Sequence, residues 1–142
     1  MRVLIAALAD YASVSQPGDK LNVMGAFDTI GAPSFPVVHP TAVLALRLQL
    51  EYEDRASHHT LGILIVNQDG KEFAKIEGTV PTPEIPPGKR LVANHLVFFQ
   101  QLHFEAPDRF SIVIRWDGEE KQRLPLDVVK ITPPVPPPAA GG

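Results

Sequence analysis

Regular alternation of apolar and polar side chains in residues 109–131 most narrows what this chain can fold into. Apolar side chains recur at every second position over residues 110–116, and a second alternating run covers residues 122–128. A period of two is typical of a strand with one buried face. Asp117-Gly118 separates the two runs, so the segment is predicted to be a β-hairpin.

The register of this hairpin can be predicted from burial. A two-residue turn at Asp117-Gly118 would place Ile112 opposite Arg123, a cation beside the core. A slip of one residue moves every side chain to the other face, so burial favours a wider connection. We therefore expect a three-residue loop or a bulge rather than a plain type I′ turn. The predicted pairs are Phe110–Leu126, Ile112–Leu124 and Trp116–Glu120.

A second hairpin is predicted around Asp69-Gly70, which lies between two apolar runs. Here a two-residue turn already keeps the apolar side chains together. The predicted pairs are Ile65–Ala74, Ile63–Ile76 and Leu61–Gly78 on one face, with Val66–Phe73 and Leu64–Lys75 on the other. The two Asp-Gly turns are therefore expected to differ in type.

The other segments are also predominantly β in character. Residues 3–9 are continuously apolar and also fit helical spacing, but we favour a central strand because no capping residue precedes them. Residues 41–53 give the cleanest alternation, with four leucines on one side. Gly25 interrupts an alternating run and is expected to mark a bulge or a close backbone approach. Residues 13–20, 31–40, 53–55 and 81–90 are expected to be loops or irregular edge segments.

The number and spacing of these segments indicate the fold class. About seven to eight short strands without a long helix predict an all-β fold, a two-sheet antiparallel β-sandwich, in residues 1–131. Residues 132–142 are rich in proline and glycine, and we expect an extended polyproline-II tail outside the domain.

Composition excludes several classes of protein. The chain has 142 residues, which suits one domain. Its net charge is -3, which gives no indication of a basic surface for nucleic acid. It has no cysteine, which excludes disulfides and thiolate metal sites and suits a reducing compartment. No run reaches the roughly 18–20 apolar residues of a membrane span. Asp10 cuts the apolar start short, so we interpret that start as part of the fold of a cytoplasmic protein.

No pattern of residues indicates catalysis, a cofactor or a metal. The five histidines lack ligand spacing, and His58-His59 is interpreted as a loop pair. Ser13 and Ser15 lack a recognisable histidine partner, so turn chemistry is the better interpretation. Trp116 is expected at the edge of the core, with an exposed partner anchor as the alternative. We predict no catalytic residue, no cofactor and no metal site; the histidines considered are His39, His58, His59, His95 and His103.

The tail offers two candidate partner-binding features. Pro133 and Pro136 have the PxxP spacing that suits aromatic-lined grooves. The final Gly141-Gly142 is unhindered, as in ubiquitin-like modifiers that are conjugated through their last glycine. Because proline- and alanine-rich ends are frequently inert, the inert tail is the favoured interpretation.

The stretch ALADYASVSQPGDKLNVMGAFDTI is similar to a family of uncharacterised small bacterial proteins of nearly this length. Such proteins have an apolar first strand and a KLN-hydrophobic-hydrophobic-G-x-F-D segment, and the similarity continues through FPVVHP, WDGEE and PLDVV. It extends nearly to Ile131 and does not cover the tail. The resemblance implies a compact β-sandwich, a domain of unknown function, and no functional residue can be carried over from it.

The leading hypothesis is a non-enzymatic module that binds an unidentified protein partner, or a second copy of itself, through an unpaired sheet edge. It involves neither nucleic acid nor membrane. One alternative is a protein modifier conjugated through Gly142. The other is a small enzyme on a β-sandwich, which a buried histidine beside a carboxylate in a cleft would favour.

Overall fold

The computed structural model describes residues 1–132 and 137–138, and these residues contain nine strands and one 3-10 turn. The predicted number of seven to eight strands is too low, because residues 29–32 form a short strand of their own. The strands are β1 Arg2–Ser15, β2 Lys20–Ala26, β3 Thr29–Ala32, β4 Val37–Leu50, β5 Ser57–Asn67, β6 Glu72–Thr82, β7 Leu91–Phe104, β8 Asp108–Trp116 and β9 Glu119–Lys130, with the 3-10 turn Tyr52–Asp54 after β4.

The strands form two sheets, as predicted. The first sheet has the order β2-β1-β4-β7 and the second has the order β3-β9-β8-β5-β6. Most neighbours run antiparallel, but β3 lies parallel to β9, so the prediction of a purely antiparallel sandwich is wrong. The parallel pair arises because the chain leaves β2 in the first sheet and crosses to the second, where β3 extends alongside the last strand.

The core lies between the two sheets. Alternate leucines of β4, predicted to share one face, point inward and are almost fully buried against isoleucines of β5 and β8. β1 is an inner strand between β2 and β4, which confirms the prediction for residues 3–9. The most buried members of the core are Leu44, Leu46, Leu48, Ile63, Ile65, Ile112, Ile114, Phe104 and Leu126.

The β8–β9 hairpin keeps its predicted core pairs but has a different turn. Trp116 pairs with Glu119, so Asp117-Gly118 is a two-residue turn, and the predicted three-residue loop and Trp116–Glu120 pair are wrong. The bulge predicted as the alternative to that loop is present. Both turn residues have positive φ, 51° and 83°, as a type I′ turn requires. A bulge at Lys121 then shifts the register, and Ile112 pairs with Leu124 as burial demands.

The loop of the β5–β6 hairpin is longer than predicted. The Asn67 backbone N–H donates to the Lys71 carbonyl at 2.9 Å, which leaves a three-residue loop where two residues were predicted. Ile65 still pairs with Ala74 as predicted, but Val66 pairs with Glu72 because Phe73 is bulged. In both hairpins burial sets the core register and a bulge absorbs the geometry of the turn.

Several predicted loops are shorter than expected. The first is reduced to residues 16–19, since Ser13 and Ser15 belong to β1. Pro40 lies within β4, but there β4 pairs only with β7, because β1 separates from β4 after the Ala9–Val43 pair. Pro81 lies in β6, an edge strand. At each proline the strand has a neighbouring strand on one side only. The missing N–H can therefore point to the open side, where no ladder hydrogen bond is lost.

The tail predictions concern residues that are not described: Pro133, Pro136, Gly141 and Gly142 lie outside the described residues. Across residues 1–132 and 137–138, no helix has the length and apolar character to cross a membrane.

Candidate functional site: the open edge of β7, the arm and the His59 cluster

A hairpin arm, defined as residues 10–25, lies across the outer face of the first sheet. β1 pairs with β4 only from Arg2 to Ala9 and then continues with β2 alone. At the tip of the arm, the Asp19 carbonyl accepts hydrogen bonds from Arg47 Nη1 at 3.1 Å and Asn94 Nδ2 at 2.7 Å. These bonds hold the tip over β4 and β7.

Small side chains allow the arm to approach the sheet closely. A second apolar cluster lies on this outer face, separate from the main core, and its centre is nearly inaccessible to solvent. Alanines provide three of its four buried members, so the arm can lie low over the sheet while larger side chains cover the margins. The buried members are Ala9, Ala12, Val43 and Ala45, and the flanking ones are Leu21, Val23 and Leu96.

The arm bends at Gly25. Ala9 pairs with Ala26 and Tyr11 with Met24, so Asp10 lies opposite Gly25, although these two residues do not themselves form a ladder pair. Gly25 has φ +70°, and a Cβ added there would lie 2.7 Å from Asp10 Oδ2. The register is the same on both sides of Gly25, so no residue is inserted and the predicted bulge is absent. The close approach at Gly25 is made by the Asp10 side chain rather than by backbone, and together with the positive φ it accounts for the glycine.

β7 is the longest edge strand of the described residues. It extends for 14 residues and pairs with β4 along nearly its whole length, and among the described residues no strand pairs with its other side. Unpaired edges usually carry charges, prolines or short strands that prevent association. Edge strand β6 carries such protection in Glu72, Lys75, Glu77 and Pro81, and β2 and β3 are only 7 and 4 residues long.

β7 has almost none of these protective features. Its sequence, LVANHLVFFQQLHF, contains no aspartate, glutamate, lysine, arginine or proline. The one irregularity is Gln101, whose φ of 55° breaks the ladder opposite Pro40. Residues 91–100 therefore form a regular, uncharged edge of about 33 Å at 3.3 Å per residue, unpaired on the side away from β4 among the described residues.

The side chains of β7 differ on its two faces. Phe98 pairs with Val43 on the outer face and remains 60% exposed. His95 pairs with Leu46 and so points toward the interior, where burial lowers its pKa. A neutral His95 adds no charge to the edge near neutral pH. The Asn94 side chain bonds with Arg47 and with the Asp19 carbonyl, so the arm tip contacts β7 through a side chain on its outer face.

His59 forms the main buried polar cluster, which the sequence did not reveal. His59 Nδ1 lies 2.6 Å from Asp117 Oδ2, and Nε2 lies 2.8 Å from the Asp54 carbonyl oxygen. Both neighbours are acceptors, so only the doubly protonated ring can donate to both. The ring also stacks on Trp116 with centroids 4.6 Å apart, a geometry that suits a cation over an indole.

The ionisation of this cluster follows from its contacts. Burial lowers the pKa of His59, but the hydrogen bonds with Asp117 and the Asp54 carbonyl outweigh it, so the net pKa is raised. The hydrogen bond from His59 lowers the pKa of the Asp117 carboxyl, helped by a second bond from the Thr60 N–H. The pair is therefore held as imidazolium and carboxylate at mildly acidic pH, and the shift extends the charged form toward higher pH.

Two predictions from the sequence are wrong here. His58-His59 is not a loop pair, because both residues lie in β5, and Asp54 is buried rather than exposed. Asp54 is tolerated inside because its carboxylate accepts the Glu51 N–H at 2.9 Å and lies 3.1 Å from the Met1 amino nitrogen. Trp116 is only 4% exposed, so the alternative of an exposed anchor is wrong and the core-edge interpretation is confirmed.

The cluster has a structural role in this arrangement. Both ring nitrogens of His59 already bind acceptors, so neither is free to abstract a proton from a substrate. The contacts fasten β5, the β8–β9 turn and the 3-10 turn to one another. No sequence signal could have found the pair, since His59 and Asp117 are 58 residues apart.

Asp117→Asn tests this ion pair. Asparagine tolerates the positive φ and can still accept the Thr60 N–H, while its NH2 group replaces the oxygen that faces His59 Nδ1, so both the charge and the acceptor for the imidazolium are removed. A histidine whose pKa is raised in the folded protein stabilises the fold fully at pH values below its unfolded pKa of about 6.5. This stabilisation is lost as the pH rises through the folded pKa. We expect the wild-type His59 resonance to titrate above 6.5 in NMR and to move down in the variant.

The variant should also lose part of the unfolding free energy that the wild type gains between pH 8 and pH 5.5. His95 changes the unfolding free energy in the opposite direction, because a group with a lowered pKa destabilises the folded protein as the pH falls below about 6.5. The contribution of His59 is therefore given by the difference between the wild type and the variant. An unchanged His59 titration in Asp117→Asn would show that the carboxylate does not set the charge of the ring.

Two of the cavities that border the first sheet differ in the character of their walls. One of about 330 Å³ opens between β1 and β9 and is lined mainly by apolar groups such as Leu8, Phe27 and Leu124. The other, of about 340 Å³, has polar walls, where Arg90 donates to Gln49 at 3.2 Å and Gln49 to Glu51 at 2.7 Å. These polar groups bond to one another. In the part of the chain that the structure describes, no three histidine, aspartate or glutamate side chains gather at metal-binding distance.

Comparison with known proteins gives a family without an assigned activity. The model of a family of unknown function, DUF6941, matches residues 4–129. No curated protein matches the chain. Two solved structures of a glycosyl hydrolase family 2 member from Bacteroides cellulosilyticus, one from strain DSM 14838 and one from microfluidic crystals, are 15% and 16% identical, each with a TM-score of 0.39. Each match covers 65% of this chain, and the chain spans only 13% and 12% of those proteins.

Proposed function

The chain belongs to DUF6941, a family of unknown function, and we propose that it is a non-enzymatic interaction module that binds a partner protein through the open edge of β7. The observation that carries the proposal is the 14-residue edge without a charge or proline. Backbone N–H and C=O groups on such an edge accept an additional strand, and the alternating side chains provide selectivity.

The surroundings of the edge support the same proposal. Phe98, 60% exposed on the outer face, would be covered by a strand added beside it. The arm fixes Arg47 and Asn94 in mutual hydrogen bonds, so the outer face next to the edge is held in one arrangement before a partner arrives. A preorganised edge loses less conformational entropy on binding. A cytoplasmic location is part of the proposal, because a reducing compartment suits a chain without cysteine.

A photo-crosslinking comparison tests the proposed function. A photoreactive phenylalanine analogue replaces Phe98 on β7 or Met24 on the arm, which have similar exposures of 60% and 63%. After irradiation in a lysate of the source cells, we expect discrete protein adducts from position 98 and several-fold fewer from position 24. The adducts should decline when proline replaces residues of β7 one at a time.

The proline variants require their own control, because proline also removes a ladder bond where the N–H faces β4. Each variant is checked for a folded circular dichroism spectrum, and only folded variants are compared. Equal labelling from both positions, or adducts that no folded variant reduces, would contradict docking at β7.

A further inference from the structure

We propose that the partner strand is β7 of a second copy of this chain, so that two antiparallel β7 strands join two four-stranded sheets into one of eight strands. The inference rests on the proposed function and names its partner. It is carried by the self-complementarity of residues 91–100, which are uncharged, regularly paired with β4 on one side and unpaired on the other among the described residues.

Charge is the first argument for a second copy. In a two-fold interface residue i faces residue j of the second copy and j faces i, and only a residue on the axis faces its own counterpart, so charges of one sign near the axis repel one another. β7 carries no formal charge, and its inward His95 is held toward the neutral form by burial. Edge strand β6 could not pair with itself as readily, since Glu72, Lys75 and Glu77 lie on it.

Apolar surface is the second argument. A two-fold axis perpendicular to the sheet pairs the two β7 strands antiparallel and makes their outer faces continuous. Leu96 and Phe98 of both copies would then lie on one face, on strands about 4.8 Å apart. The exposed ring of Phe98 gains a cover that the single chain does not provide. The paired segment would end at the two consecutive glutamines Gln100-Gln101, because the positive φ of Gln101 interrupts the extended backbone.

The arm is compatible with this pairing. Its tip bonds to the side chain of Asn94 on the outer face, while strand addition uses the backbone on the open side of β7. The net charge of -3 on each chain opposes association only weakly at physiological salt, where charges more than about 8 Å apart are screened.

A cysteine scan tests the pairing, because the chain has no cysteine of its own. Val92, Leu96, Phe98 and Gln100, which share the outer face, are replaced by cysteine one at a time, with Met24→Cys as the control of matched exposure. Antiparallel partners have Cα atoms about 4.5–5.5 Å apart, within the range of a disulfide. We expect one maximum of disulfide-linked dimer, at the position or two adjacent positions nearest the two-fold axis, and none from position 24.

Sedimentation equilibrium provides the second measurement. The wild type is expected at twice the 15.5 kDa of one chain at high micromolar concentration. The double variant Phe98→Lys, Gln100→Lys should weaken the dimer at least tenfold, because it places four ammonium groups in an interface that carries no formal charge in the wild type. Met24→Lys should leave the association constant unchanged. A folded circular dichroism spectrum is required of both variants.

The outcomes separate this inference from the proposed function. A monomer at all concentrations, with photo-adducts to other proteins from position 98, would overturn the second copy as partner and leave docking at β7 in place. A dimer whose disulfides do not peak on β7 would overturn the inference as well. A monomer without adducts would overturn both.

Discussion

Phe104→Ala is expected to lower the free energy of unfolding by about 3–5 kcal/mol, the largest effect of any substitution considered. Phe104 is fully buried at the end of β7. Its ring stacks on Phe73 of β6, with centroids 5.1 Å apart and planes within 5°, and packs at a tilt on Phe110 of β8 at 5.3 Å. The side chain joins the first sheet to two strands of the second, so its removal opens a cavity between the sheets.

Urea denaturation measures this loss, with Phe98→Ala as the matched control on the same strand. Phe98 is 60% exposed, so its truncation should change the unfolding free energy of the single chain by less than about 0.5 kcal/mol. Both proteins are measured at submicromolar concentration, where association does not add to stability. If the two truncations cost the same, Phe104 does not join the sheets as its contacts indicate.

Gly25→Ala is expected to cost about 2 kcal/mol and to loosen the arm. A residue with Cβ at φ +70° is strained by roughly 1–2 kcal/mol, and the new Cβ would also lie 2.7 Å from Asp10 Oδ2. Because the arm covers a cluster separate from the main core, the strain should be relieved by local opening. We expect amide hydrogen exchange to accelerate in residues 10–25 and in Asn94 while the second sheet stays protected.

Gly78→Ala is the control for this substitution. Gly78 lies in β6, its φ is not in the positive region, and nothing lies within 4 Å of the position of a new Cβ. Alanine there should be neutral or slightly stabilising, since it restricts the unfolded chain. Normal arm protection in Gly25→Ala would mean that the bend does not depend on the positive φ at this residue.

The two hairpins show how far local pattern reaches in this protein. Alternating side chains predicted the core pairs Ile112–Leu124 and Ile65–Ala74, because burial penalises a slipped register heavily. The turn types were predicted the wrong way round, because a bulge at Lys121 or Phe73 adds one residue at small cost and changes which turn fits. The free-energy differences between turn types are small compared with the free energy of burying the core side chains.

The site could be predicted only in part. An unpaired sheet edge was expected from the sequence, but nothing in residues 91–99 identifies them as that edge. The KLNVMGAFD segment, which carries the family resemblance, proves to be β2 and its bend at Gly25. The sequence predicted a bulge or close approach there, but not that the arm crosses its own sheet.

The sequence by itself determined the all-β class, the two-sheet arrangement and most of the core pairs, because these follow from alternation along the chain. Only the tertiary structure decided that β7 is an edge, that β3 joins β9 in parallel, and that His59 meets Asp117. Each of these depends on which strands become neighbours across long separations. Alternation records which side of a strand is buried, and carries no information about which strand lies beside it.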